Sequence, residues 1–126
     1  MNKVAIVLFA DPNQKEGYAR ALHGLIYAKE LSGKGKAVKL LFEGAGVMII
    51  EKVGGKDAKL SEIFAELNIG VYSPGKVYAG ACKACAESFG ANAEDAKKMG
   101  LELLGEDHNH PDIAGLIDDG FALLAL

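Results

Sequence analysis

Apolar residues along this chain fall into short unbroken runs that alternate with helical stripes. Val4 to Ala10 is a continuous apolar run closed by Asp11-Pro12, the pattern of a strand covered on both faces. From Glu16 to Ser32 the spacing turns helical. Tyr18, Leu22, Leu25 and Ala28 form one stripe, and Gly33 and Gly35 end it. Ala37 to Phe42 reads as a second strand, and Glu43-Gly44-Ala45-Gly46 turns away from it. Val47 to Val53 fits a short helix better than a strand, because Leu60, Ile63, Phe64 and Leu67 continue a helical stripe after the Gly54-Gly55 break.

After the Ser73-Pro74-Gly75 turn, Val77 to Ala79 reads as a third strand and Cys82 to Phe89 as a helix. Ala93 to Met99 adds a further helical turn or two. Leu101 to Leu104 is the fourth strand and Gly105 to His110 a polar loop. Pro111 is placed to begin a short helix, where its missing N–H costs nothing. Phe121 to Leu126 closes the chain as a fifth strand. Strand and helix in repeated alternation predict an α/β domain: a mainly parallel sheet of about five strands, helices on its faces, and right-handed crossovers. No linker, repeat or low-complexity tract divides residues 1–126, so a single domain is expected.

Composition narrows the class. Of 126 residues, 50% are hydrophobic and 25% charged, enough apolar surface to fold without a disulfide or metal staple. Net charge is −3, with no basic stripe, and Arg20 is the sole arginine, so nucleic acid is a poor fit as a ligand. The opening apolar run meets Asp11-Pro12-Asn13 without a cleavage signature, and no stretch reaches membrane-span length. Two cysteines three apart make no secreted framework, so a reducing cytoplasm is the expected setting.

In an open parallel sheet, ligands bind beyond the carboxyl ends of the strands. Those ends carry Asp11 and Asn13, then Glu43 and Gly44, then Cys82-Lys83-Ala84-Cys85, then His108 and His110. The Cys-x-x-Cys pair is the sharpest feature. A sulfur at a helix start, next to Lys83, is expected to have a lowered pKa and to act as a nucleophile, with a second thiol one turn away to resolve the adduct. Cys82 is expected to be the more reactive of the two. The bland alternative is a pair of small buried residues packing a helix start. A mixed metal set of Cys82, Cys85, His108 and His110 is the weaker alternative. Gly44-Ala45-Gly46 follows the second strand and lacks the dinucleotide register, so no cofactor is called for.

The chain resembles the DsrE/DsrF-like sulfur-relay family along almost its whole length. The most specific parts are Val77-Tyr78-Ala79-Gly80-Ala81-Cys82-Lys83-Ala84-Cys85-Ala86, Phe89-Gly90, His110-Pro111-Asp112-Ile113-Ala114 and Asp119-Gly120-Phe121. The resemblance implies a flavodoxin-like three-layer α/β/α domain in small homo-oligomers, a trimer before a dimer, with a sulfur-accepting cysteine after the third strand. That position matches Cys82. The sequence adds its own argument for association. Met48, Ile49 and Ile50 stand consecutively, more than one helix face should bury against its own sheet.

Two classes of function follow. One is a sulfur carrier, or sulfurtransferase-like protein, in which Cys82 accepts sulfane sulfur as a persulfide. Cys85 assists, His108 or His110 moves a proton, and donor and acceptor proteins are the partners. A dithiol–disulfide redox protein is its close variant. The other class is a non-catalytic oligomeric domain that binds a small ligand or a metal.

Overall fold

The computed structural model describes residues 2–105 and 110–126. The elements in chain order are β1 (Lys3–Leu8), α1 (Lys15–Gly33), β2 (Ala37–Phe42), a 3-10 turn (Gly44–Met48), α2 (Ile49–Glu51), a π-type turn (Lys52–Lys56) and α3 (Ala58–Ala65). There follow β3 (Val77–Cys82), α4 (Lys83–Ser88), α5 (Ala93–Lys98), β4 (Glu102–Leu104), α6 (Ile113–Asp118) and β5 (Ala122–Ala125). The five strands make one parallel sheet in the order β4-β3-β2-β1-β5. The layering is three-layer, flavodoxin-like α/β/α. Flavodoxin's own strand order reverses between its first and third strands, whereas here the reversal falls between β1 and β5.

That order dictates where the helices go. From β1 to β4 each crossover steps the same way across the sheet, so crossovers of one hand put their helices on one face. On that face Ile6, Leu8, Val38, Leu40, Phe42, Val77, Ala79 and Ala81 meet Leu25 of α1, Leu60 and Phe64 of α3 and Ala96 of α5. The last connection runs back from β4 past β1 to β5, so α6 lands on the opposite face. There Ala5, Val7 and Leu41 pack under Leu116 and Phe121. One six-residue helix covers what three or more cover on the other side.

The thin second face tolerates a charge in an inner strand. Lys39 of β2 lies there with its ammonium 5.3 Å from the Tyr72 ring, 5.6 Å from Tyr78 and 5.1 Å from Phe121. Three aromatic faces attract the cation that the strand's apolar pattern does not accommodate. Tyr78 also donates a hydrogen bond to Glu102 on the neighbouring strand.

Several boundaries move from their expected places. β1 ends at Leu8, because the N–H groups of Phe9 and Ala10 both turn to the carbonyl of Leu126. β3 continues past Ala79 to Cys82, its small residues Gly80 and Ala81 pairing with Leu41 and Phe42. Pro111 does not begin α6. Asp112 caps that helix by accepting from the Gly115 N–H at 3.0 Å, so Pro111 stands before the cap.

The Val47–Val53 segment is helical as expected, but its apolar run is not left over for a neighbour. Val47, Ile49 and Ile50 are all within 1% of full burial inside the single chain. The tight 3-10 turn followed by one α turn aims consecutive residues at different walls of one core, so of Met48-Ile49-Ile50 only the half-buried Met48 is left to argue for association. Gly46 makes this possible. A Cβ at that position would lie 2.0 Å from the Leu8 carbonyl oxygen. Gly46→Ala is therefore expected to destabilise the fold by about 1–3 kcal/mol through backbone overpacking. Gly33→Ala, at the end of α1 with nothing within 4 Å of the new Cβ, should be neutral or stabilising by up to ~1 kcal/mol. Urea unfolding of the two variants checks the contrast.

Candidate functional site around Cys82, Cys85 and His110

Cys82 is both the last residue of β3 and the N-cap of α4. Its register partner is Leu104, so its side chain belongs to the second face, the face that α6 covers. His110 comes from the segment entering α6 and reaches the same place. Its Nδ1 lies 3.2 Å from Cys82 Sγ. The Cys85 N–H, one helical turn on, donates to Cys82 Sγ at 3.4 Å. Ligand-capable atoms of Cys82, Cys85 and His110 all lie within 4.8 Å of one another, and neither cysteine is in a disulfide.

Glu43 completes the group. It follows β2, the strand beside β3, and the 3-10 turn after it packs against α4. Gly44 takes a positive φ of 54° to start that turn. Glu43 is only 8% exposed, and its Oε1 lies 3.9 Å from His110 Nδ1. Burial raises its pKa, and the nearby His110 works in the opposite direction. The imidazole therefore stands between a buried thiol and a buried carboxylic acid, all meeting at one ring nitrogen.

The expected acidic thiol is not what this geometry produces. Cys82 is 0% exposed, and its pKa rises from 9.0 to about 11. Desolvation is the first cause, followed by hydrogen bonding with Cys85 and repulsion from the Cys85 and Glu43 charges; the Cys85 N–H pulls the other way. The helix-start contact exists as expected but is outweighed by burial. Lys83 is exposed and contributes to none of these causes. Cys85 is half-buried and is the more exposed of the two thiols.

The other expected site residues sort by strand. Asp11 accepts from the Asn13 N–H at 2.9 Å, forming a local turn after β1. β1 is two strands from β3, about 10 Å across the sheet, and no described contact joins Asp11 or Asn13 to the cysteines. His108 lies outside the described residues. A cavity of about 210 Å³ opens beside the cluster, between Lys39, Leu41 and Tyr78 on the sheet and Gly115 and Leu116 of α6. None of the three clustered donors lines it.

No family model matches the chain. An uncharacterized protein of Methanocaldococcus jannaschii is 25% identical over 125 residues, spanning 98% of this chain and 95% of that one. Among solved structures, a conserved protein of unknown function from Bacteroides thetaiotaomicron aligns with a TM-score of 0.64 at 18% identity, over 99% of this chain and 95% of that one. The structural likeness establishes the fold, and neither relative carries an activity to compare. Among the described residues, no helix is long and apolar enough to cross a membrane.

The raised thiol pKa has a consequence for stability. Between pH 9.0 and about 11 the unfolded chain has released the Cys82 proton and the folded chain has kept it. The unfolded state then binds fewer protons, so this contribution to stability is whole below pH 9.0 and is lost as pH rises through about 11. Lysines and tyrosines titrate in the same range, so the readout is a difference. Urea midpoints should fall more steeply with alkaline pH in the wild type than in Cys82→Ser.

Proposed function

We propose that the chain is a DsrE/DsrF-like sulfur carrier in which Cys82 accepts sulfane sulfur from a persulfide donor. The observation that carries this reading is the 3.2 Å contact between Cys82 Sγ and His110 Nδ1, with Cys85 within reach of the same sulfur. A thiol with a pKa near 11 is almost wholly protonated at neutral pH. It becomes a nucleophile by handing its proton to His110, and the neighbouring Glu43 carboxylate favours the imidazolium that results.

The step balances. Cys82 transfers its proton to His110 Nδ1, and the thiolate attacks the outer sulfur of a donor R–S–SH. The new bond joins Cys82 Sγ to that sulfur, the donor S–S bond breaks, and the leaving R–S⁻ recovers the proton from His110 as R–SH. Delivery reverses these roles with an acceptor thiol. Cys85 can instead attack Cys82 Sγ, forming an internal disulfide and releasing the carried sulfur as hydrogen sulfide. The burial that opposes thiolate formation also shields a persulfide from solvent.

The reading includes assembly as a small homo-oligomer, a trimer before a dimer, in the cytoplasm. Support for association comes from the thinly covered second face and the free edge of β5. There Leu123 and Leu124 are 40% and 37% exposed, with Ile117 of α6 at 59%. Sedimentation at micromolar concentration is expected to show more than one chain per particle. A clean monomer would remove this part of the reading.

Intact mass after exposure to a low-molecular-weight persulfide tests the chemistry. One added sulfur is expected on the wild type, none on Cys82→Ser, and an equal or longer-lived adduct on Cys85→Ser. His110→Asn should slow loading at neutral pH by roughly 100-fold or more. Loss of the adduct in Cys85→Ser alone would overturn the assignment to Cys82. Conversion of the wild type to a Cys82–Cys85 disulfide without any adduct would instead mark a dithiol redox protein.

A further inference from the structure

We propose that Cys82, Cys85 and His110 also form a zinc site, with the Glu43 carboxylate beside its fourth coordination position. This inference does not depend on the sulfur chemistry. It concerns the same thiols in a different and mutually exclusive state.

Distance is the first ground. Tetrahedral zinc with Zn–S bonds of about 2.3 Å and Zn–N bonds of about 2.0 Å sets neighbouring ligand atoms roughly 3.5–3.8 Å apart. The three donors already lie within 4.8 Å of one another, and the Cys82 sulfur is 3.2 Å from the histidine nitrogen. Small side-chain rotations turn that spacing into a coordination sphere. Because the β3–α4 junction and the entry to α6 hold the donors, little chain needs ordering.

A buried fourth donor beside the cluster is the second ground. Glu43 is 8% exposed, and among the described residues its ion-pair partner is His110, which carries a charge only when protonated. A buried carboxylate beside a single half-exposed histidine is poorly compensated. A zinc ion held by the three donors offers that carboxylate a coordination bond at its fourth position. Two thiolates neutralise the ion, the Cys85 N–H steadies the Cys82 sulfur from the outer shell, and Glu43 flanks the remaining position. Two sulfurs and one imidazole select zinc over magnesium or calcium, which take oxygen donors.

Binding exchanges two thiol protons for one Zn²⁺ and involves no redox step. Reduced full-length protein, titrated anaerobically with Zn²⁺ against a chromophoric chelator, is expected to take one ion per chain. Co²⁺ in its place should show the sulfur-to-cobalt charge-transfer bands and intense visible bands of a tetrahedral thiolate site. Cys82→Ser and Cys85→Ser should each weaken binding by at least about 100-fold and diminish the charge-transfer bands. Glu43→Gln should cost about 10-fold and keep them. His110→Ala alters a half-exposed side chain outside the core, so it tests the site even where a cysteine variant folds poorly. It should lose affinity with its circular dichroism unchanged. Failure of the wild type to bind Zn²⁺ at micromolar concentration, or equal binding by His110→Ala, would overturn the proposal. Protein that binds zinc and never loads sulfur keeps this inference and removes the sulfur reading; protein that loads sulfur and binds no zinc does the reverse.

Discussion

The single hand of the crossovers is the constraint from which the rest of this structure follows. A chain that steps from β1 to β4 in sequence lays every intervening helix on one face of its sheet. Among the described residues only the return to β5 puts a helix on the other face, and that helix is α6. The sheet is therefore loaded unequally. One face carries the main core, and the other carries a small apolar cluster, a lysine ringed by aromatics and an open cavity. The same return connection delivers His110 to the end of β3. The segment starts beside its target, because Leu104 at the end of β4 pairs with Cys82.

At that strand end two general effects compete for the thiol. A helix-start N–H stabilises a thiolate, and burial opposes it. The N–H contact at 3.4 Å is long and single, while the sulfur is fully enclosed beside a second thiol and a buried acid. Desolvation wins. Cys82 is thus a thiol kept protonated by its burial, and not a thiolate held by the backbone. Lys83, the one positive charge suggested by sequence proximity, contributes nothing, because position 83 begins the helix on its solvent side.

Much of the fold was legible because its strands are short unbroken apolar runs. Ala37–Phe42 needed no correction, and α1 was displaced by one residue at each end. The pairing of Cys82 with His110 and Glu43 was legible only as a list of strand ends on a common edge. Three things were not legible. The order of strands decides which ends are neighbours, and no local pattern encodes it; that is why Asp11 and Asn13 stood beside the cysteines as candidates and lie two strands away. The burial of Cys82 depends on β3 extending through Gly80 and Ala81, residues that read as a loop. The Val47–Ile50 run reads as more than one helix face buries, because the sequence does not announce a 3-10 turn that Gly46 lets press against β1.

Glu43 links the two chemical states proposed for the site. A buried carboxylic acid beside a histidine can lower its cost in only a few ways: stay protonated, sit next to an imidazolium, or sit next to a metal ion. Burial raises its pKa, which is the direction of the first. Proton transfer from Cys82 to His110 creates the second, and a bound ion creates the third. In both of the latter the carboxylate becomes favourable only when the Cys82 proton leaves its sulfur. Glu43 therefore couples to the ionisation of Cys82 through a shared neighbour, His110 Nδ1, which lies 3.2 Å from one and 3.9 Å from the other. The thiol form of Cys82 is the resting state, because burial raises its pKa to about 11. A sulfur donor or a soft cation then draws on the same stored asymmetry, and whichever arrives excludes the other, because each consumes the one sulfur that the buried acid and the histidine both address.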